Sequence, residues 1–69
     1  MAQLRDPNRL YGFYNKLQEI HIQCFPDWRF GQFCSNFFGW LGSAKMIDLF
    51  FPEDEKMIEY IEEFAKDYR

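Results

Sequence analysis

Residues 30–41 read FGQFCSNFFGWL, which is the most ring-rich stretch of this 69-residue chain. Its large apolar side chains recur at intervals of three and four positions: Phe30, Phe33, Phe37, and Trp40 or Leu41. This spacing places them on one face of a helix, and Gly42-Ser43 is a typical helix end. The stretch is far shorter than the ~20 apolar residues that span a bilayer. It therefore predicts a short core helix rather than a membrane segment.

Proline and acidic residues mark where each of three helices is expected to begin. Asp6-Pro7 and Pro26-Asp27 each combine a capping carboxylate with a proline suited to the first helical turn. Pro52 precedes the acidic residues 53–55, which favour a helix N-terminus. The first helix carries its apolar face on Leu10, Phe13 or Tyr14, Leu17, Ile20 or His21, and Cys24. The third carries its apolar face on Met57 or Ile58, Ile61, Phe64 or Ala65, and Tyr68.

Strands are disfavoured because the chain contains no Val and no Thr, two of the residues that sheets prefer. We predict an all-α fold, a compact three-helix bundle in a single domain covering residues 1–69. A short extra helical turn fits between helices two and three, near residues 46–49.

Aromatic residues are in excess for so small a chain, with nine Phe, four Tyr and two Trp. A domain of roughly this size buries only about 60% of its unfolded surface, so some rings should remain exposed and mark a partner surface. The predicted partner-binding residues are Trp28, Arg29, Phe30, Phe37 and Trp40. Plainer interpretations also apply: Arg29 can pair with Asp27 or Glu53, and Trp28 can cover the core.

Charge is distributed unevenly along the chain. Residues 1–47 carry five basic against three acidic side chains, whereas residues 48–69 carry eight acidic against three basic ones. An acidic third helix disfavours contact with phosphate and favours a basic partner surface. A nucleic-acid-binding alternative would use the basic residues of the first part: Arg5, Arg9, Lys16, Arg29 and Lys45.

No metal site, catalytic triad or phosphate-binding loop is complete in this sequence. His21, Cys24 and Cys34 supply only three ligands, whereas a structural zinc site needs four. A single histidine gives no triad with either cysteine, and the glycines match no phosphate-binding loop. We expect both thiols to stay reduced, and we expect no metal, no cofactor and no enzymatic activity.

Gly31, Ser35 and Gly39 lie four apart and form a strip of small side chains along helix two. Such a strip lets another backbone approach closely. The preferred interpretation is packing against helix one or three of the same chain, and the alternative is contact with the same strip of a second copy.

Three short motifs resemble those of a group of short uncharacterised helical proteins of bacteria and their phages. They are Arg5-Asp6-Pro7-x-Arg9, Pro26-Asp27-x-Arg29-x-Gly31-Gln32-Phe33, and Pro52-Glu53-Asp54 before the last helix. The resemblance covers most of the chain. It implies a small helical fold and a phage or mobile-element source, and it transfers no catalytic residue.

The leading functional hypothesis is a non-enzymatic protein-binding module, a phage or mobile-element product that docks on a host protein. The alternatives are a small nucleic-acid-associated protein and a structural homodimer with no other ligand. Because residues 1–9 are polar and show no apolar leader, we expect a cytoplasmic protein without membrane contact.

Overall fold

A computed structural model describes residues 6–68 and contains three helices. They are α1 (Arg9–Cys24), α2 (Phe30–Ala44) and α3 (Asp54–Tyr68). No strand occurs between residues 6 and 68. The predicted all-α three-helix fold is therefore confirmed.

Helix α3 is the element on which the other two helices pack. Both α1 and α2 contact it extensively, whereas α1 and α2 touch each other much less. Arg9 pairs with Asp54 (Nε to Oδ2, 2.8 Å) and Lys16 pairs with Glu62 (Nζ to Oε2, 3.7 Å). From the first pair to the second, the residue numbers increase along both helices, so α1 and α3 run parallel. A gap remains between α1 and α2.

The core is an aromatic cluster centred on Phe64 of α3, whose side chain is fully buried. Six rings have their centroids 5.1–6.5 Å from it: Phe25, Trp28, Phe33, Phe37, Trp40 and Tyr68. Leu41 is the other fully buried large side chain. Rings from α2 and from the α1–α2 turn thus meet on one residue of α3.

The helices begin later than their proline signals predicted. Oδ1 of Asp6 accepts a hydrogen bond from the Asn8 backbone N–H (2.9 Å), so Asp6-Pro7 forms a turn before α1. The N–H of Trp28 donates to the Phe25 carbonyl (3.1 Å), which closes another turn before α2. In both places the capping residues belong to the turn rather than to the helix.

Residues 45–53, which we call the α2–α3 loop, are not helical, so the suggested extra helical turn is absent. Met46 adopts a left-handed conformation (φ 57°). Asp48 then organises a tight turn, because its Oδ1 accepts from the Phe50 N–H (3.0 Å) and its carbonyl accepts from the Phe51 N–H (3.1 Å). These local bonds hold the loop in an irregular conformation.

Candidate protein-binding groove

An apolar groove of about 280 Å³ lies between α1 and α2, above the face of α3. We call it the α1–α2 groove. It exists because both helices pack on α3 and leave a gap between themselves. Its walls and floor include Phe13, Tyr14 and Leu17 of α1, Phe30, Cys34 and Phe38 of α2, and Met57 and Ile61 of α3.

Two aromatic rings of the groove remain exposed. Phe30 is 62% exposed and Tyr14 is 56% exposed, although both line the groove. Phe30 is the first residue of α2, so it lies beyond the core face formed by Phe33 and later residues. Tyr14 packs edge-on against Phe13, with ring centroids 5.2 Å apart. The groove therefore presents rings that the monomer leaves partly uncovered.

Cys34 forms part of the apolar wall of the groove. Burial raises the pKa of its thiol above the usual value, which favours the protonated thiol at neutral pH. Neither Cys34 nor Cys24 forms a disulfide.

His21 is engaged in the turn between α1 and α2. Its Nε2–H donates to the Trp28 carbonyl (2.7 Å), and its ring packs edge-on against Phe33 with centroids 4.8 Å apart. Across residues 6–68 no three His, Cys, Asp or Glu side chains are grouped so that they could hold a metal.

The predicted partner-binding residues separate into buried and exposed positions. Phe37 is part of the buried core, where it packs on Phe64, and it also lines the α1–α2 groove; its role as a partner contact stays a prediction. Trp28 is half-buried and stacks on Phe25, with centroids 4.2 Å apart and planes within 5°. Trp40 is also half-buried, and its Nε1–H donates to Oδ2 of Asp67 (3.2 Å). Both tryptophans mainly cover the core.

Arg29 and Phe30 are the two predicted residues that the structure leaves exposed. Arg29 immediately precedes α2, and it forms no ion pair with any residue from 6 to 68, so neither predicted tie is present. Arg29 thus has no carboxylate partner among residues 6–68 and directly precedes Phe30 in the chain, without lining the groove itself.

A second apolar surface, which the sequence analysis missed, lies on the α2–α3 loop. Met46, Phe50 and Phe51 are 85%, 86% and 80% exposed, and Leu49 is partly exposed. The available signal was the group of five apolar residues within 46–51, interrupted by Asp48 and followed by Pro52, with no helical spacing that would bury it. Large apolar side chains clustered on one exposed loop are typical of an interaction surface.

The basic residues of the nucleic-acid alternative are largely neutralised by α3. Besides Arg9 and Lys16, Lys45 pairs with Glu63 (Nζ to Oε2, 2.5 Å). Arg5 lies outside the described residues. A hollow of about 520 Å³ between α1 and the start of α3 is lined by several of these paired charges. Within residues 6–68, Arg29 is the only one of these cations without a carboxylate partner.

The strip of small residues is exposed rather than packed. A Cβ atom added at Gly31 or Gly39 would meet no atom within 4 Å, and Ser35 is exposed. The preferred prediction of close helix packing within the chain is therefore wrong, because α2 turns its ring-bearing face to α3. Contact of the strip with a second copy stays a prediction.

Within the part of the chain that the structure covers, no helix has the length and apolar character needed to cross a membrane. No protein-family model matches the chain, and neither a curated protein nor a solved structure matches it significantly.

Proposed function

We propose that this chain is a small non-enzymatic protein-interaction module that holds an apolar segment of a protein in the α1–α2 groove. The observation that carries the proposal is the open apolar groove with Phe30 and Tyr14 exposed in it. Aromatic side chains in partly desolvated pockets are the usual anchors of protein interfaces.

Energetics support the groove as the binding surface. Complete burial of a Phe side chain contributes about 1.5–3 kcal/mol, and Phe30 still exposes more than half of its surface. A partner that covers Phe30 and Tyr14 would gain much of that free energy from each ring. Arg29, next to Phe30 and without an acidic partner within residues 6–68, favours an acidic residue beside the inserted apolar segment.

The resemblance of the Pro26-Asp27-x-Arg29-x-Gly31-Gln32 motif to helical proteins of bacteria and their phages supports a phage or mobile-element source. In this proposal the chain acts in the cytoplasm and docks on a host protein.

The test compares Phe30→Asp with Tyr11→Asp. Tyr11 is a matched control because it is also an exposed ring in the first turn of a helix but does not line the groove. The probe is anilinonaphthalene sulfonate, which combines apolar rings with an anion and fluoresces in apolar sites. At protein concentrations dilute enough to keep the chain monomeric, we expect the dye to bind the wild type and Tyr11→Asp and to lose most of its fluorescence with Phe30→Asp.

A pull-down from bacterial lysate with the same three proteins extends the test to natural partners. We expect a stoichiometric protein on the wild type and on Tyr11→Asp that is missing from Phe30→Asp. Equal dye binding and equal retention by all three chains would contradict the proposal.

A further inference from the structure

We propose that, in the absence of a host protein, the occupant of the α1–α2 groove is the α2–α3 loop of a second copy of this chain. The inference rests on the proposed function of the groove as a binding site. Phe50 and Phe51, both at least 80% exposed, are the inserting side chains. The chain thus carries a protruding apolar segment together with an open apolar groove.

The sizes of the two surfaces agree. A cavity of about 150 Å³ lined by Leu, Ile and Phe takes up benzene. The groove, at about 280 Å³, holds one phenyl ring with space for part of a second. Phe50 and Phe51 are adjacent, so one ring can enter the groove while the other covers its mouth.

The charges beside the two surfaces are complementary. Arg29 directly precedes Phe30, which lines the groove, and Asp48 lies two residues before Phe50 in the loop. Between residues 6 and 68, neither of these two side chains has an oppositely charged partner. In the complex, Arg29 of one copy faces Asp48 of the other.

The loop and the groove lie close together on each copy. Asp54 lines the groove and follows Phe51 by three residues, a stretch that spans at most about 11 Å. Two copies can therefore exchange loops reciprocally about a twofold axis. Such an arrangement closes at two chains, and it is the commonest form of oligomer.

Crosslinking between residues 51 and 34 tests this contact directly. One chain carries Cys24→Ala and keeps Cys34 in its groove. The second carries Cys24→Ala, Cys34→Ala and Phe51→Cys, so its only thiol is on the loop. Mixed and oxidised by oxidised glutathione at alkaline pH, the two chains are expected to form a 34–51 disulfide, detected by mass spectrometry. The matched control replaces Phe51→Cys with Ile22→Cys, an exposed position of α1, and is expected to crosslink far less.

Sedimentation equilibrium gives a second readout. We expect a mass of two chains for the wild type and for Tyr11→Asp, and a mass of one chain for Phe50→Asp. Because a reciprocal dimer contains two copies of this ion pair, Arg29→Gln and Asp48→Asn each raise the dimer dissociation constant about two- to thirtyfold, and the double variant raises it no further. Asp48→Asn keeps the side-chain oxygen that accepts from the Phe50 N–H, so it removes only the charge.

Three outcomes would overturn this inference. The first is a 34–51 crosslink no stronger than the Ile22→Cys control. The second is a dimer that Phe50→Asp leaves intact, because the chains would then meet through another face. The third is a monomer whose Phe50 binds phosphatidylcholine vesicles, since the loop would then serve a membrane surface. If any of these occurs while Phe30→Asp still abolishes dye binding, the groove remains a binding site and only its occupant is wrong.

Discussion

Phe64 is the residue on which the core depends most. It is fully buried and lies against rings from α2, from the α1–α2 turn and from its own helix. Because these rings come from distant parts of the sequence, their meeting point could not be read from the spacing of α3, which allowed Phe64 or Ala65 equally. Phe30 was predicted as a partner contact, but its helical spacing, shared with Phe33, allowed a core position as well, so the sequence did not decide between burial and exposure.

Replacing Phe64 should be the most destabilising single change. Phe→Ala in a core costs about 3–5 kcal/mol, against a total free energy of unfolding of about 3–10 kcal/mol for a domain of this size. We expect Phe64→Ala to be largely unfolded by circular dichroism and Phe64→Leu to be folded with a lower denaturation midpoint. Tyr11→Ala, the exposed control, should stay within about 0.5 kcal/mol of the wild type. A Phe64→Ala chain as stable as that control would contradict the central role of this ring.

At the level of single elements, the sequence predicts the number of helices better than it predicts the residues at which they begin. Helical spacing and the lack of Val and Thr predicted three helices correctly. The starts were misplaced because Asp6 and Pro26 form turns that precede the helices. The α1–α2 groove could not be predicted, because sequence periodicity says which face a helix buries but not how far apart two helices lie on a third.

The α2–α3 loop offers a test at the level of one element. Met46 is left-handed and almost fully exposed. A left-handed conformation costs a non-glycine residue about 1–2 kcal/mol, whereas glycine adopts it freely but loses more backbone entropy on folding. We expect Met46→Gly to raise the free energy of unfolding by roughly 0.5–1 kcal/mol, measured by urea denaturation. The matched control is Phe50→Gly, where no positive φ is relieved, and it should not be stabilising.

For the molecule as a whole, the charge distribution bears on the nucleic-acid alternative. Arg9, Lys16 and Lys45 are each paired with a carboxylate of α3, so few cations remain to replace the counterions of a phosphate backbone. We expect no gel shift of double- or single-stranded DNA at about 150 mM salt. A shift that weakens steeply with added salt and disappears with Arg29→Gln would revive that alternative.

The dependence of both other helices on α3 also affects how the protein is made. Because α1 and α2 both pack mainly on α3, most of their apolar surface stays unburied until α3 has been synthesised. While the ribosome is still translating, the rings of α2 have no partner, and unfinished chains with exposed hydrophobic surface are prone to aggregate. Rapid translation of the last helix, or a chaperone that shields α2 until then, should therefore improve the yield of folded protein.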